Sequence, residues 1–175
     1  MGNYEWTVQH KGEFSGWSDE STAAAFTAVA PPDCLYSGSG DSTVRKLDPN
    51  DLAEASQFGG HSGNVGALAW GADGYLYSGS KDDTVRKLDP NDMTEVAQFT
   101  GNTRLFGSLV WGADGYLYSG SGVDYWRSED NTVRKINPND MTEMAQFTSH
   151  SEYVAALAWS WPRGTEAGIE YPYPA

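Results

Sequence analysis

An eleven-residue run repeated letter for letter, turn residues that cut each copy into four short pieces, and no helical periodicity together predict an all-β fold, a β-propeller of four-stranded blades. The run WGADGYLYSGS occupies 70–80 and returns at 111–121, a period of 41 residues. An earlier copy, LYSGSGDSTVRKLDPND, starts at Leu35, again 41 residues before Leu76. TVRK appears at Thr43, Thr84 and Thr132; the last interval is longer by seven residues, inserted between Ser121 and Asp130. Self-similarity at about 40–45 residues is the mark of a blade array.

Within one repeat, VGALAW (65–70) is small and apolar, and Gly-Ala-Asp-Gly supplies a tight turn. YLYSGS (75–80) is rich in β-forming aromatics, Lys81–Asp83 is a polar turn, and TVRKLD (84–89) alternates. Asp89-Pro90-Asn91-Asp92 puts Pro where a type I turn favours it, and MTEVAQF (93–99) is the fourth strand. By the same reading, TAAAFTAV (22–29) is the inner strand of a degenerate first blade. The second blade covers about 65–99 and the third about 106–147, and YVAALAWSW (153–161) opens a fourth. Residues 4–9 and 13–17 read as a hairpin.

The whole chain, 1–175, is therefore one propeller or half-propeller domain of about four blades, with a closing hairpin in 1–20 and a tail in 162–175. Bare strand edges at both ends must be covered. Either the termini join to give a ring of four blades, or one chain completes another in a ring of about eight. The second arrangement is favoured because it gives the more relaxed ring.

GGHSGNVGALAWGADGYLYSGSKDDTVRKLD resembles a blade of the WD-repeat family. The counterparts of that family's Gly-His are Gly60-His61, Gly101-Asn102 and Ser149-His150; those of its turn aspartate are Asp41, Asp82 and Asp130. The resemblance implies a hydrogen-bonded cluster of His, Ser or Thr, Asp and Trp inside each blade, which makes His61, His150, Asp41, Asp82 and Asp130 blade-turn structural residues. The family's Trp-Asp ending is Leu47-Asp48, Leu88-Asp89 and Ile136-Asn137 here, so the cluster lacks its Trp. In style the repeats also resemble those of tail-, spike- or capsid-associated proteins of phages and haloarchaeal viruses. That implies a non-enzymatic scaffold in a larger assembly such as a virion, and a cytoplasmic protein otherwise.

Eleven basic against 24 acidic residues give a net charge of −13, which argues against nucleic acid or an anionic membrane surface as partner. The same excess fits a halophilic protein. One cysteine, Cys34, excludes an internal disulfide. The opening MGNYEWTVQHKG has no apolar core of a secretion signal, and no stretch reaches membrane-spanning length.

No nucleophile elbow, phosphate loop or metal-ligand spacing occurs, so no catalytic residue, metal or cofactor is expected. Asp48, Asp73, Asp89 and Asp114 recur in turns, where Asp accepts from its own backbone. Trp70, Trp111 and Trp159 end three successive inner strands. They form either a stacking ring for glycans, the lectin-like alternative, or packing between blades, which is preferred. The segment between Ser121 and Asp130, Gly-Val-Asp-Tyr-Trp-Arg-Ser-Glu, carries the seven extra residues and breaks the repeat. Tyr125, Trp126 and Arg127 are the residue types that dominate interface energetics, and they mark the expected contact with other protein chains, in a homo-oligomer or with assembly neighbours.

Overall fold

The computed structural model describes residues 34–101, 108–121 and 131–160. These belong to one compact unit, Pro32–Ala175. The first blade is a three-stranded sheet of β1 (Leu35–Gly38), β2 (Val44–Leu47) and β3 (Glu54–Phe58). The second is four-stranded: β4 (Val65–Trp70), β5 (Leu76–Ser80), β6 (Val85–Leu88) and β7 (Glu95–Phe99). The third repeats it with β8 (Ser108–Trp111), β9 (Leu117–Gly120), β10 (Val133–Asn137) and β11 (Thr142–Phe147). Every pairing is antiparallel between consecutive strands, the meander that short turns enforce. β4 lies beside β8, so the first strands of neighbouring blades are the inner ones.

The turns follow from local chemistry. Asp48 Oδ1 accepts from the backbone N–H of Asn50, and Asp89 Oδ1 from that of Asn91, each at 2.8 Å. Each turn of this type ends on a residue with positive φ, namely Leu52 (58°), Met93 (60°) and Met141 (55°). That conformation costs a bulky residue roughly 1–2 kcal/mol. At Met93 and Met141 the cost is offset, because both side chains are buried.

Among the described residues two apolar clusters form the core, and each lies between blades. One joins Val44 and Phe58 of the first blade to Val65, Leu76, Leu88 and Met93 of the second. The other joins Tyr77, Val85 and Phe99 of the second blade to Leu117, Ile136 and Met141 of the third. Five of the six members of each set are the same repeat positions, Val65 and Tyr77 being the exceptions, so one packing rule is used twice. A polar contact travels with it: Lys46 Nζ donates to the carbonyl of Pro90, and Lys87 Nζ to that of Pro138, at 2.8 and 2.9 Å.

The structure differs from the sequence expectation at 153–161. Residues 153–160 form no strand, although VAALAW nearly copies β4. β propensity does not supply a ladder partner, and among the described residues this segment has none. It nonetheless lies where a next blade's first strand belongs. Val154 N–H donates to the Ser121 carbonyl at 3.0 Å, as Val65 N–H does to that of Ser39. The hairpin in 1–20, the 22–29 strand and the 162–175 tail lie outside the described residues.

Leu117 fills one cluster completely, while Val96 is exposed on the outer strand. Leu117→Ala is expected to lower the unfolding free energy by about 2–5 kcal/mol, and Val96→Ala by less than about 0.5 kcal/mol. Urea titrations of both variants check this.

Candidate functional site

The densest polar constellation lies at one end of the second blade, where the loop between β3 and β4 meets the β5–β6 turn. His61 is buried there. Its Nδ1 stands 2.8 Å from Asp82 Oδ2 and its Nε2 2.8 Å from Ser78 Oγ. A carboxylate can only accept, so Nδ1 carries the proton and the Ser78 hydroxyl donates to Nε2. Thr84 donates to Asp82 Oδ1 through its hydroxyl at 2.6 Å and its backbone N–H at 3.1 Å. Ser62 N–H adds a bond to Oδ2 at 3.0 Å.

Burial pushes the Asp82 carboxyl upward, but the hydrogen bonds from Thr84 and His61 outweigh it and hold the pKa at about 2. Burial pushes the His61 pKa down, against the pull of Asp82. The imidazole is therefore neutral at pH 7, and the 2.8 Å contact is a hydrogen bond to a carboxylate rather than an ion pair.

The position that the WD-repeat family gives to Trp is Leu88, fully buried. The cluster assembles without that Trp, and Arg86 flanks it from the side. Its Nε donates to Thr84 Oγ1 at 3.2 Å, Nη2 lies 3.6 Å from Asp82, and Nη1 meets Glu95 at 2.5 Å. Ser78, Thr84 and Arg86 were not singled out in the sequence; the recurring TVRK was the signal that could have found two of them.

Ser78, His61 and Asp82 follow the bond order of a hydrolase relay. Ser78 is 0 % exposed, so no electrophile reaches its oxygen. What the arrangement does is fasten two chain segments about twenty residues apart.

Elsewhere the cluster is incomplete among the described residues. In the first blade Asp41 binds Thr43 at 2.6 Å and Arg45 at 3.1 Å. The Thr43 bond, acting first, holds the exposed Asp41 carboxyl at about 2. His150 is exposed, its ring 5.0 Å from that of Phe147, as His61 sits 5.6 Å from Phe58. Asp130 and the inserted Tyr125, Trp126 and Arg127 lie outside the described residues.

The tryptophans stand at the other ends of the strands. Each stacks on a tyrosine of the preceding blade: Trp70 on Tyr36, Trp111 on Tyr77 and Trp159 on Tyr118, with centroids 5.7, 5.5 and 5.3 Å apart. Glycine makes room for them. A Cβ on Gly71 would come within 2.9 Å of Trp111, and one on Gly112 within 2.9 Å of Trp159. Below the stack, Asp73 accepts from Tyr77 at 2.6 Å and pairs with Lys87 at 2.9 Å. Lys87 also lies 4.2 Å over the Tyr75 ring. Lys135, Asp114 and Tyr116 repeat the arrangement. The turn carboxylates are thus engaged within their own blades.

Because the unfolded chain protonates its histidines near pH 6.5 and folded His61 resists, the unfolded state gains protons first as pH falls. The His61 contribution to stability is present above that value and is lost toward the lower folded pKa. The urea midpoint is expected to drop between about pH 7.5 and 5.5, and to drop less in His61→Gln. Equal slopes for the two proteins would contradict the assignment.

Comparison with known proteins follows the same lines. Residues 53–89 match a family model described as "WD domain, G-beta repeat". No curated protein matches the chain. Among solved structures, the chain is similar to one titled "Crystal Structure of Mitotic Checkpoint Complex", at 27% identity and a TM-score of 0.62, covering 72% of this chain and 37% of that one. It is also similar to "Structure of U3-55K" and "Crystal structure of RRP9 WD40 repeats", each at 23% identity and TM-score 0.63, covering 73% of this chain and 39% of the other. The chain spans less than two fifths of the length of the solved chains it matches.

Proposed function

With a WD-repeat-type β-propeller fold as the premise, we propose that the chain is a non-enzymatic scaffold that works by holding other protein chains. One observation carries the reading: among the described residues, the one catalytic-looking constellation, Ser78–His61–Asp82, is sealed inside a blade and spent on fastening it. Surfaces remain as what the molecule offers. The structure similar at 27% identity is by its title a complex, which supports protein partners for this fold.

The contact surface of this reading is the inserted loop with Tyr125, Trp126 and Arg127. The insertion prolongs the β9–β10 link, the counterpart of the β5–β6 turn that holds Asp82 beside the His61 loop. The hairpin base is unchanged by the insertion, since Ser121 N–H donates to Thr132 O at 3.0 Å as Ser80 N–H does to Thr84 O at 3.1 Å. An assembly such as a virion is the setting this reading fits. Trp126→Ala is expected to weaken capture of partner chains by a tagged protein in its native host by about 30-fold, the loss of roughly 2 kcal/mol typical of an aromatic anchor. The melting temperature should not move. A variant that melts early, or one that captures partners normally, overturns the loop assignment.

A carbohydrate-binding reading draws on Trp70, which remains 51% exposed as a residue despite its tyrosine stack. Saturable binding on a glycan array, lost in Trp70→Ala, would replace the scaffold reading.

The charge of −13 gives the scaffold a salt dependence. Self-repulsion is screened over a Debye length that shrinks to about 3 Å at 1 M. For a chain adapted to high salt, the thermal midpoint is expected to keep rising beyond about 1 M. A plateau at a few hundred millimolar would assign the charge to ordinary solubility.

A further inference from the structure

Two turns of identical sequence sit in unequal surroundings. Gly-Ala-Asp-Gly at 71–74 and at 112–115 lies inside the eleven-residue run that repeats letter for letter. Gly71 N–H donates to the Tyr75 carbonyl at 2.9 Å, and Gly112 N–H to that of Tyr116 at 2.8 Å. Gly74 N–H donates back to the Gly71 carbonyl, and Gly115 N–H to that of Gly112, each at 3.0 Å. The last glycine has a φ of 84° in one turn and 79° in the other. A short hairpin loop of this kind ends on a left-handed residue, which glycine supplies without strain. The turn thus fixes an Asp-Gly pair in both blades.

Asp-Gly is a reactive pair, because glycine has no Cβ to shield its nitrogen from the preceding carboxyl. The glycine nitrogen bonds to the aspartate Cγ as the Cγ–OH bond breaks. The hydroxyl leaves as water with the amide proton, and a succinimide ring remains. Water then opens the ring at one carbonyl or the other, giving back aspartate or giving isoaspartate, whose backbone runs through Cβ. Nothing is oxidised or reduced, and water is the sole co-reactant.

The fold sets two locks on this step. The amide proton that must leave is bonded to the Gly71 or Gly112 carbonyl. The carboxyl departs as water from its protonated form, and hydrogen-bond donors favour the anion instead. Asp73 Oδ2 accepts from the Tyr77 hydroxyl at 2.6 Å and pairs with Lys87 at 2.9 Å, while Oδ1 accepts from Tyr75 N–H at 3.3 Å. Asp114 Oδ2 accepts from the Tyr118 hydroxyl at 2.7 Å and pairs with Lys135 at 2.8 Å, while Oδ1 accepts from Tyr116 N–H at 3.4 Å. Burial raises the Asp114 pKa, but the bonds from Lys135, Tyr118 and Tyr116 outweigh it and hold the carboxyl below its ordinary value.

The second lock is stronger in the second blade. Tyr77 is fully buried, and the Lys87 side chain is 9% exposed and also bonded to the Pro138 carbonyl. Tyr118 is half-buried, and the Lys135 side chain is 30% exposed. An ion pair open to water contributes little, so the third-blade turn releases its carboxyl more readily. We propose that Asp114–Gly115 is a modification site at which the folded chain converts to isoaspartate, while Asp73–Gly74 is closed to the same chemistry. The conversion lengthens the turn by one methylene and takes the carboxylate from Lys135 and Tyr118. Because Trp159 stacks on Tyr118, it also loosens the 153–160 segment from the third blade.

The identical flanks supply an internal control, since the unfolded chain gives both pairs the same intrinsic rate. The full chain is incubated at neutral pH, with and without urea, and digested with trypsin to yield peptides 47–81 and 105–127. Isoaspartate is read as a peptide of unchanged mass that elutes apart and resists endoproteinase Asp-N at that bond. In the folded chain it is expected to accumulate several-fold faster in 105–127 than in 47–81; in urea both should rise at one faster rate. Lys135→Gln should raise the folded rate at Asp114 several-fold and leave Asp73 unchanged. Tyr118→Phe, which keeps the ring under Trp159 and removes one donor, should act in the same direction. No isoaspartate at Asp114 in the folded chain, equal folded rates at the two sites, or unequal rates in urea would overturn the proposal. So would a Lys135→Gln chain that is no faster at Asp114, or one that speeds both sites together through general unfolding.

Discussion

A blade cannot bury its own faces. Its sheet carries one set of side chains on each side, and apolar members of both sets lie against the neighbouring blades. Stability therefore comes from contacts between blades, each built half from one repeat and half from the next. Val44 and Phe58 have no core without Leu88 and Met93, and Val85 and Phe99 have none without Ile136 and Met141. The repeat in the sequence is the trace of this constraint. A substitution at one such position would have to suit a neighbour in the next repeat.

The polar chemistry serves the same end. Four short strands leave loose ends at the rim, where backbone groups compete with water. The His61–Asp82–Thr84 cluster ties the incoming loop to the β5–β6 turn with charge-assisted hydrogen bonds, each stronger than a neutral one. Lys87 does the corresponding work between blades. Its ammonium is buried but paired with Asp73, placed over Tyr75 and bonded to the Pro138 carbonyl, so the desolvation cost of the charge is met from three sides. Removing one partner would leave a charge stranded.

Much of this was legible in the sequence, and the residues show why. Periodicity placed the strands, and Asp-Pro-Asn-Asp placed the turns, because both depend on local geometry. The absent Trp was visible too, but its consequence was not. Arg86 lies two positions from Asp82's bonded partner Thr84, and only the twist of the sheet shows that it can reach the carboxylate. Lys46 and Lys87 recur at the repeat period, yet their acceptors are carbonyls 44 and 51 residues away, which no side-chain pattern marks. The 153–160 segment shows the opposite limit. Its residues favour a strand, but a strand is a relation between two chains of residues, and sequence propensity describes only one.

The near identity of VGALAW at 65–70 and VAALAW at 154–159 also bears on how the chain reaches its fold. Both segments carry the side chains that fit the edge of β5, and only one belongs there. A repeat array folds as a nearly one-dimensional system in which each unit docks on its neighbour. When neighbouring units are nearly interchangeable, an early docking error is almost as stable as the correct step and has to be undone. Loop-closure entropy favours the closer copy, since Val65 is separated from Leu76 by far fewer residues than Val154 is. Fidelity of assembly in this chain thus rests on chain length between competitors rather than on any difference in their chemistry.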